Sequence, residues 1–506
     1  MLFNSPEFLF CYLPIVLLGY AILGKFGRAA VVSWLAFSSL AFYAYWRLEF
    51  VWLLVGSITV NYACSRVIWH FRGRSKSKLT VLTLAITANL ATLAFFKYLF
   101  PLIHFIDDTL GLQAQLANVI LPLGISFFTF TQIAYLVDLS QDTADPQDLI
   151  SYVLFVTFFP HLIAGPILHH REIMPQFAKG RDFQLRWRDI ALGLSWFTLG
   201  LCKKVLLADR FAPYADSAFA HTAHLTMTGA WIGVLNYALQ LYFDFSGYSD
   251  MAIGLARMFS IEFPFNFDSP YKATSIIDFW SRWHMTLTRY LTLYLYNPFA
   301  MWANRRRAAR GKPNSRKALR TAGGFGSLVA FPTITTMFLA GIWHGAGLQF
   351  IVFGVLHGIY LTVNHAWRIF RREGSILSRV IARPGVCVGL TFLAVLIAQV
   401  FFRSASTRNA LDVVAALIGQ HDIGFAELRN QPPRAFLFVL ALPVIWGFPN
   451  TQEILRQVST VRPSIFGSGR LVLWRPNWFW ASGLGSLLVA VLWYMTDTSS
   501  FLYFQF

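Results

Sequence analysis

The chain has 506 residues, of which 56% are hydrophobic and only 13% are charged. Soluble proteins carry about 25% charged residues, so this composition excludes an ordinary soluble enzyme. The formal net charge of +18 is spread between apolar runs and not gathered on one polar domain, which argues against nucleic-acid binding. The four cysteines form no metal-binding pattern, so no metal site is predicted.

Long apolar runs recur along the whole sequence and predict an all-α polytopic membrane protein. A transmembrane helix needs about 20 apolar residues, and about ten to twelve runs qualify. The first run has no basic leader or small-residue cleavage site, so we expect a retained span and not a removed signal peptide. No long polar segment interrupts the runs, so residues 1–506 are predicted to form a single membrane domain.

Basic clusters separate the apolar runs and indicate the cytoplasmic side of the membrane. They cover residues 70–78, 169–188, 304–320, 368–379 and 456–470. Three runs precede the first cluster, so the N terminus is expected to face outward. Between 78 and 169 the number of crossings must be even, yet three apolar stretches lie there. We expect either 116–139 or 149–168 to be re-entrant or tilted, which requires surrounding protein or a water-filled cavity.

Two aspartates, Asp244 and Asp250, lie in the apolar segment 239–259. A carboxylate in hydrocarbon costs at least about 2.5 kcal/mol on insertion scales, so each must face a partner or a cavity. A buried ion pair that orders the helices and a functional site both explain such residues, and the sequence supplies no nearby basic partner that would favour catalysis.

The segment 274–299, TSIIDFWSRWHMTLTRYLTLYLYNPF, has the pattern of an amphipathic helix at the cytoplasmic mouth of the bundle. Asp278 and Arg282 are four residues apart and are expected to pair on one helix face. Arg289 lies further along the same face.

His284 occupies the same predicted helix, at helical spacing from Ser281 and Thr288. Trp280 and Trp283 suit a membrane interface. The alternative to a functional segment is a plain interfacial helix that carries a solvated histidine.

The sequence GIWHGAGLQF (341–350) places His344 at the end of an apolar helix predicted over 331–344. Thr333, Met337 and Ala340 share its face, with Gly341 beside them. Such a stripe indicates either close helix packing or the wall of a narrow channel.

Burial disfavours the charged form of His344, and the neutral imidazole is the form that a general base requires. A lone histidine on an apolar helix is more often a core residue. His357 and His161 are equally buried by sequence, so burial alone does not single out His344.

Seven motifs follow one another in a fixed order. They are LPLGISFFTFTQIAYLVD (121–138), FFPHLIAGPI (158–167), YFDFSGYSDMAIG (242–254), FPFNFDSPY (263–271), FWSRWHMTL (279–287), WHGAG (343–347) and the terminal FLYFQF. Together they resemble the membrane-bound O-acyltransferase family, and within it the bacterial branch typified by the membrane subunit of alginate O-acetylation. The resemblance is strongest over residues 115–360. The chain departs from that branch at Thr292 and Leu293, where the branch usually has an Arg-Asp pair.

The resemblance implies a bundle with re-entrant and interfacial helices around a central tunnel, in which an acyl group is transferred. His344 matches the catalytic histidine of the family's WHG motif, and His284 matches its second histidine. We expect His344 to act as a general base, and His284 to orient the thioester or donate to the oxyanion. His161 is expected to be a packing or cavity residue.

The substrate-binding residues are predicted to be Trp343, Asp278, Arg282 and Arg289. Trp343 would wall the tunnel, and the arginines, with the basic loop 304–320, would hold the phosphates of the donor. The same loop is also explained by topology alone.

The resemblance implies no bound cofactor, with acetyl-CoA or another acyl thioester as co-substrate. It also implies an extracytoplasmic transferase partner, contact with membrane lipid, and a multi-pass location in the bacterial cytoplasmic membrane, for O-acetylation of a cell-surface or exported polysaccharide. Transfer of D-alanyl or longer acyl groups is one alternative. A transporter or flippase is another, although no inverted repeats are visible, and an assembly scaffold is a third.

Overall fold

The computed structural model describes residues 1–110, 120–178, 183–371, 375, 380–381, 383–424, 429, 432–455, 473–495 and 501–502, without the side chains at 104, 105, 108 and 109. Helices account for the regular structure of these residues, and no β-strand occurs among them. The all-α prediction is therefore confirmed. The basic cluster 456–470, and most of the loop after Arg371 in the cluster 368–379, lie outside the described residues.

The α-helices of the described chain follow one another from the N terminus, often with only a short turn between them. The first twelve are α1 (Leu13–Leu23), α2 (Arg28–Ala44), α3 (Glu49–His70), α4 (Ser75–Ala94), α5 (Phe100–Leu110), α6 (Ile125–Ser140), α7 (Leu149–Thr157), α8 (Phe159–Leu162), α9 (His170–Ile173), α10 (Trp187–Cys202), α11 (Asp209–Ala220) and α12 (Met227–Met258). The others are α13 (Ile276–Trp280), α14 (Met285–Leu291), α15 (Asn297–Ala309), α16 (Ala322–Phe325), α17 (Phe331–His344), α18 (Leu348–Phe370), α19 (Pro384–Arg403), α20 (Thr407–Leu417), α21 (Leu437–Gly447), α22 (Thr451–Ile454) and α23 (Trp478–Tyr494). Short π-helical turns extend several of them, at Phe8–Tyr12, Phe95–Leu99, Lys203–Ala208, Thr292–Tyr296 and Gly326–Ala330.

Seven helical stretches of the described chain are long and apolar enough to cross a membrane. They are Phe8–Phe26, Glu49–His70, Ser75–Ile103, Trp187–Ala220, Ala322–His344, Leu348–Phe370 and Pro384–Arg403. Four shorter apolar helices of 10–17 residues account for further apolar runs, at Arg28–Ala44, Ile125–Ser140, Pro433–Gly447 and Trp478–Tyr494. The seven long stretches and the four shorter helices together give eleven apolar helical segments among the described residues.

The stretch 149–168 is broken, as expected for a re-entrant segment. Its helix α7 has nine residues, which cover about 13.5 Å at 1.5 Å per residue, against a hydrocarbon core of about 30 Å. Phe158 leaves the helical conformation at φ −49°, ψ 110°. The short α8 follows with Pro160 in its first turn, where the missing N–H of proline is tolerated.

The chain divides into two compact units by its internal packing. Unit 1 comprises Met1–Cys202, Gly247–Phe265 and Arg475–Gln505, and unit 2 comprises Lys203–Ser246, Asn266–Trp474 and Phe506. The prediction of a single domain over 1–506 concerns the chain as a whole and stays a prediction.

Unit 1 is organised around the mutual packing of α3, α4 and α6. Asn61 and Asn89 exchange two buried side-chain hydrogen bonds of 3.1 and 2.7 Å between α3 and α4. A buried apolar cluster joins the same three helices, made of Ile68, Ala85, Leu136 and Leu139. Between these helices, hydrogen bonds pair the buried amides, and apolar contacts bury the hydrophobic side chains.

Unit 2 is built on the hairpin of α17 and α18, which pack along one another. Helices α13 and α19 also pack against α18. All six residues predicted to act on substrate belong to this unit.

Candidate active site

The α17–α18 hairpin holds its helices unusually close together. A Cβ atom added to Gly341 would lie 2.4 Å from the carbonyl oxygen of Phe350, and one added to Gly354 would lie 2.3 Å from that of Met337. Any larger residue would therefore push the backbones apart. Of the two explanations offered by the sequence for the small-residue stripe, the position of Gly341 supports close packing.

His344 is the last residue of α17, and Gly345 continues in an extended conformation at φ −174°, ψ 170°. A side chain at Gly345 would collide with the ring of Phe350, since its Cβ would lie 2.3 Å from a ring carbon. The glycine after the histidine therefore lets the chain turn sharply while Phe350 packs beneath it. This close approach explains why a glycine follows His344.

Aromatic rings enclose the imidazole of His344. The ring centroids of Trp343, Phe353 and Phe402 lie 4.7, 5.6 and 5.0 Å from that of the histidine. His344 is only 6% exposed and Trp343 only 7%. The aromatic walls exclude bulk water from the imidazole.

The segment around His284 differs from the continuous amphipathic helix predicted over 274–299. Helix α13 ends at Trp280, α14 begins at Met285, and His284 between them has a left-handed backbone at φ 43°, ψ 54°. The predicted helical alignment of His284 with Ser281 and Thr288 is therefore wrong.

The break has a cause elsewhere in the chain. The N–H of Asp268 donates to the carbonyl of Arg282 at 2.9 Å, and the N–H of Met285 donates to the carbonyl of Asn266 at 2.9 Å. The segment 266–268 thus satisfies backbone groups that would otherwise bond within a helix. Hydrogen bonds from the motif FPFNFDSPY therefore hold the motif FWSRWHMTL in its interrupted, non-helical conformation.

Asn266 also fixes the tautomer of His284. Its Oδ1 accepts hydrogen bonds from Thr286 N at 3.4 Å and Thr286 Oγ1 at 3.0 Å, and lies 2.9 Å from His284 Nδ1. A backbone N–H can only donate, so Oδ1 is the acceptor and His284 Nδ1 must carry the proton. His284 Nε2 then bears the lone pair.

His284 is 2% exposed, with the ring of Phe245 packed edge-to-face at 4.8 Å. Burial lowers the pKa of His284 to about 3, because the charged imidazolium is poorly solvated there. A solvated interfacial histidine is therefore excluded. A neutral imidazole with its proton on Nδ1 acts through Nε2 as an acceptor and not as an oxyanion donor.

Arg282 lies between two carboxylates. Its Nε donates to Asp278 Oδ1 at 2.9 Å, which confirms the expected pair. Its Nη1 lies 3.9 Å from Asp268 Oδ2 and donates to the Asp268 carbonyl at 3.2 Å. The side chain of Arg282 is 13% exposed. These contacts tie α13 to the segment before it and offset much of the charge that a phosphate would need. Arg289 is half-buried on α14.

An aromatic bridge, which sequence reasoning missed, connects α13 with the His344 hairpin. Phe353 packs edge-to-face with His344 and His357, at centroid distances of 5.6 and 4.7 Å. Trp280 Nε1 donates to His357 Nδ1 at 3.2 Å, and Trp280 is 6% exposed. Trp280 is therefore buried against the middle of α18, so its side chain does not face lipid as an interfacial tryptophan would. The i, i+4 spacing of Phe353 and His357 was the one feature of the local sequence that could have indicated this contact.

Asp244, on α12, has a partner that the sequence did not reveal. Lys204 Nζ lies 2.6 Å from Asp244 Oδ1 and 2.9 Å from Asp209 Oδ1. The Asp244 side chain is 2% exposed. The buried ion pair is thus the explanation that applies to Asp244. Asp250 is also buried, in unit 1.

The fold and this site define a helical membrane protein with two buried histidines, His284 and His344, in one compact unit. Residues 71–311 match the model of the membrane-bound O-acyltransferase family. The chain is 38% identical over 460 residues to the peptidoglycan O-acetyltransferase of Helicobacter pylori, covering 85% of this chain and 82% of that protein. It is 35% identical over 435 residues to the probable alginate O-acetylase of Pseudomonas aeruginosa, covering 85% and 77%.

A more distant similarity connects the chain with the teichoic acid D-alanyltransferase of Bacillus subtilis, at 26% identity over 288 residues, covering 54% of this chain and 68% of that protein. The chain belongs to the membrane-bound O-acyltransferase family, which confirms the resemblance inferred from the motifs. It is a multi-pass membrane O-acyltransferase.

Proposed function

We propose that this enzyme moves an acetyl group from cytosolic acetyl-CoA to an extracytoplasmic acceptor, so that a cell-surface or exported polysaccharide becomes O-acetylated. The bacterial cytoplasmic membrane is the proposed location. The observation that carries the proposal is that one compact unit holds both a water-excluded His344 and a neutral, tautomer-fixed His284, each in a motif that resembles one of an O-acyltransferase family.

Acetyl is favoured over D-alanyl by the extent of similarity. The relatives named as O-acetylating enzymes align over 85% of the chain at 35–38% identity, whereas the relative named as a D-alanyltransferase aligns over 54% at 26%. The departure at Thr292 and Leu293 affects the exposed side of a π-helical turn. It bears on the acceptor or partner more than on the chemistry.

His344 is the proposed general base. It takes the proton of the acceptor hydroxyl while that oxygen attacks the thioester carbon. The C–S bond then breaks, the thiolate takes up the proton, and the products are the acetyl ester and free CoA. His284 orients the reactants by accepting a hydrogen bond at Nε2. Trp343 walls the site.

The donor is proposed to bind at the basic loop 304–320 with Arg289. This segment begins in the second half of α15 and continues into the loop after it, and it carries eight basic and no acidic residues. Arg307 is engaged with the carbonyls of Gly323 and Pro313, which orders this segment, and the cations around it are the proposed contacts of the phosphates. Asp278 and Arg282 frame the site. A separate extracytoplasmic transferase is the proposed partner that passes the acetyl group to the polymer.

The first experiment replaces His344 by alanine in the full chain and measures O-acetyl groups on the surface polymer of producing cells. General base catalysis predicts a loss of at least ~100-fold with normal membrane insertion. His161→Gln is the matched control, because His161 is also buried, bonds only to the Phe155 carbonyl among the contacts described, and lies in unit 1. Undiminished acetylation by His344→Ala would support an assembly scaffold instead. Labelled acetyl-CoA left intact by purified wild-type protein with an acceptor sugar would favour a transporter.

A second experiment tests the cytosolic donor through topology. Ala308 and Ala223 are both exposed, and a cysteine at each is introduced into a chain without its four native cysteines. An impermeant thiol reagent added to spheroplasts should label position 223 and spare position 308 until the membrane is opened. Labelling of position 308 in sealed spheroplasts would place the basic loop outside and exclude a cytosolic donor there.

A further inference from the structure

Three ligand-type side chains of unit 1 converge at a place that the proposed chemistry does not use. Asp138 lies near the C-terminal end of α6, and His169 and His170 lie at the start of α9. One ligand atom from each residue can be chosen so that all three lie within 4.8 Å of one another. In the sequence these histidines count only as part of a basic cluster, and no metal site is predicted there.

Both imidazoles direct the same ring atom at one carboxylate oxygen. Nε2 of His169 lies 3.2 Å from Asp138 Oδ2, and Nε2 of His170 lies 2.9 Å from it. The side chains are between 5% and 13% exposed. Nδ1 of His169 accepts the N–H of Arg171 at 3.3 Å, so its Nε2–H donates to the carboxylate.

We infer that Asp138, His169 and His170 form a binding site for a divalent transition metal ion of the zinc class. Two imidazole nitrogens and one carboxylate oxygen are a ligand set that suits Zn²⁺. Ligand atoms about 2.1 Å from a tetrahedral zinc ion lie about 3.4 Å apart, and the two Nε2–Oδ2 separations are shorter than this by a few tenths of an ångström. The metal takes the place of the bridging protons.

Metal binding requires each imidazole to carry its proton on Nδ1 and to offer the Nε2 lone pair. Each imidazole changes tautomer by giving its Nε2 proton to water and taking one up at Nδ1, so no net proton is released, and His169 gives up its long bond to the Arg171 N–H. A water completes the coordination. The ring of Tyr135 packs edge-to-face on His170 at 5.4 Å and holds that imidazole in place.

The site would connect the end of α6 with the start of α9 and stabilise unit 1. Arg171 Nη2 lies 3.7 Å from the same Asp138 oxygen, so the guanidinium competes for the carboxylate and moderates metal affinity. The inference concerns binding alone and does not depend on acyl transfer, because its ligands are not among the residues assigned to that chemistry.

The experiment uses the full chain, purified in detergent without a histidine tag and stripped with a chelator. Co²⁺ is added, and the visible d–d absorption of tetrahedral cobalt is measured. We expect one equivalent of Co²⁺ to bind and Zn²⁺ to displace it. His170→Gln and Asp138→Asn should each weaken Co²⁺ binding at least tenfold, while His70→Gln, at an exposed histidine that ends α3, should leave it unchanged.

Correct folding of the variants is checked by gel filtration and by melting temperature without metal. If either variant fails to fold, His169→Gln takes its place. The rise in melting temperature of the wild-type chain on adding Zn²⁺ is then measured as a second test of binding. Substoichiometric Co²⁺ binding by the wild-type chain, or equal binding by wild type and ligand variants, would overturn the inference. The three residues would then be a hydrogen-bonded latch only.

Discussion

Replacing Asn266 by alanine should damage both the stability and the turnover of this enzyme. Asn266 is 1% exposed, and its Oδ1 serves the Nδ1–H of His284 together with the N–H and hydroxyl of Thr286. The substitution removes the acceptor of all three donors at once, and it deletes the group that holds the proton of His284 on Nδ1.

The size of the effect follows from the burial of these donors. His284 and Thr286 are 2% and 3% exposed, so water does not readily replace the lost acceptor. An unsatisfied buried donor costs about 1–3 kcal/mol. The Thr286 hydroxyl can rotate toward another acceptor, so we expect about 3 kcal/mol in total. An imidazole free to rotate or change tautomer misplaces Nε2, and a displacement of about 1 Å can reduce turnover about 100-fold.

The assay compares melting temperature and acetyl-CoA turnover of purified protein with a matched control, Asn236→Ala. Asn236 is fully buried in the same unit and donates to the carbonyls of Ile232 and Ala435, at 2.8 and 3.0 Å. The control should lose a similar amount of stability but keep its turnover below the melting temperature. Wild-type turnover in Asn266→Ala, or an equal loss of turnover in both variants, would refute the reasoning.

Three further predictions concern charge. Burial lowers the pKa of His284 to about 3, whereas in the unfolded chain it is about 6.5. Between these two pH values the unfolded chain binds more protons than the folded chain. The contribution of His284 to the free energy of unfolding is therefore complete above pH 6.5 and falls toward pH 3, by up to about 1.4 kcal/mol per pH unit. Lys204→Met should cost about 3–5 kcal/mol because it removes the Lys204 ammonium from the buried Asp244 carboxylate, and adding Asp244→Leu should recover much of that loss. Asp278→Ala and Arg282→Ala should weaken acetyl-CoA binding equally and non-additively if Arg282 serves its ion pair.

Each of these predictions has its own measurement. Melting curves from pH 4 to 8 should be less steep in pH for His284→Asn than for wild type, and parallel curves would contradict the assigned pKa. Heat stability of the Lys204 single and double variants is read in the same detergent, and additive losses would exclude the ion pair. A selective loss of donor affinity in Arg282→Ala, with Asp278→Ala unaffected, would assign Arg282 to the phosphates instead.

The features predicted correctly from the sequence are those that depend on residues close together in the chain. The i, i+4 spacing identified the pair of Asp278 and Arg282, the composition identified the helical membrane fold, and the order of motifs identified the family. The end of α17 at His344 followed from HGAG. These features depend on residues a few positions apart, so they leave a periodic or contiguous trace.

The remaining features depend on residues far apart in the chain. His284 leaves the helix because residues 18 positions earlier supply its hydrogen bonds, and Trp280 finds His357 at a separation of 77 positions. Asp244 is neutralised by Lys204, which precedes it in another helix. Such partners share no period with one another, so one sequence cannot show which of several buried polar residues meet.

The left-handed backbone at position 284 restricts which residues are tolerated there, independently of any role in catalysis. Residues other than glycine, asparagine, aspartate and histidine rarely adopt such angles, and β-branched residues are strongly disfavoured. A valine there would disturb the chain geometry, and its inactivity would say nothing about catalysis. Asparagine fits the backbone and keeps an N–H for Asn266. Lineages of this fold that abandon acyl transfer while keeping the scaffold should therefore accumulate asparagine or glycine at this position, which makes position 284 a marker of lost activity in descendants.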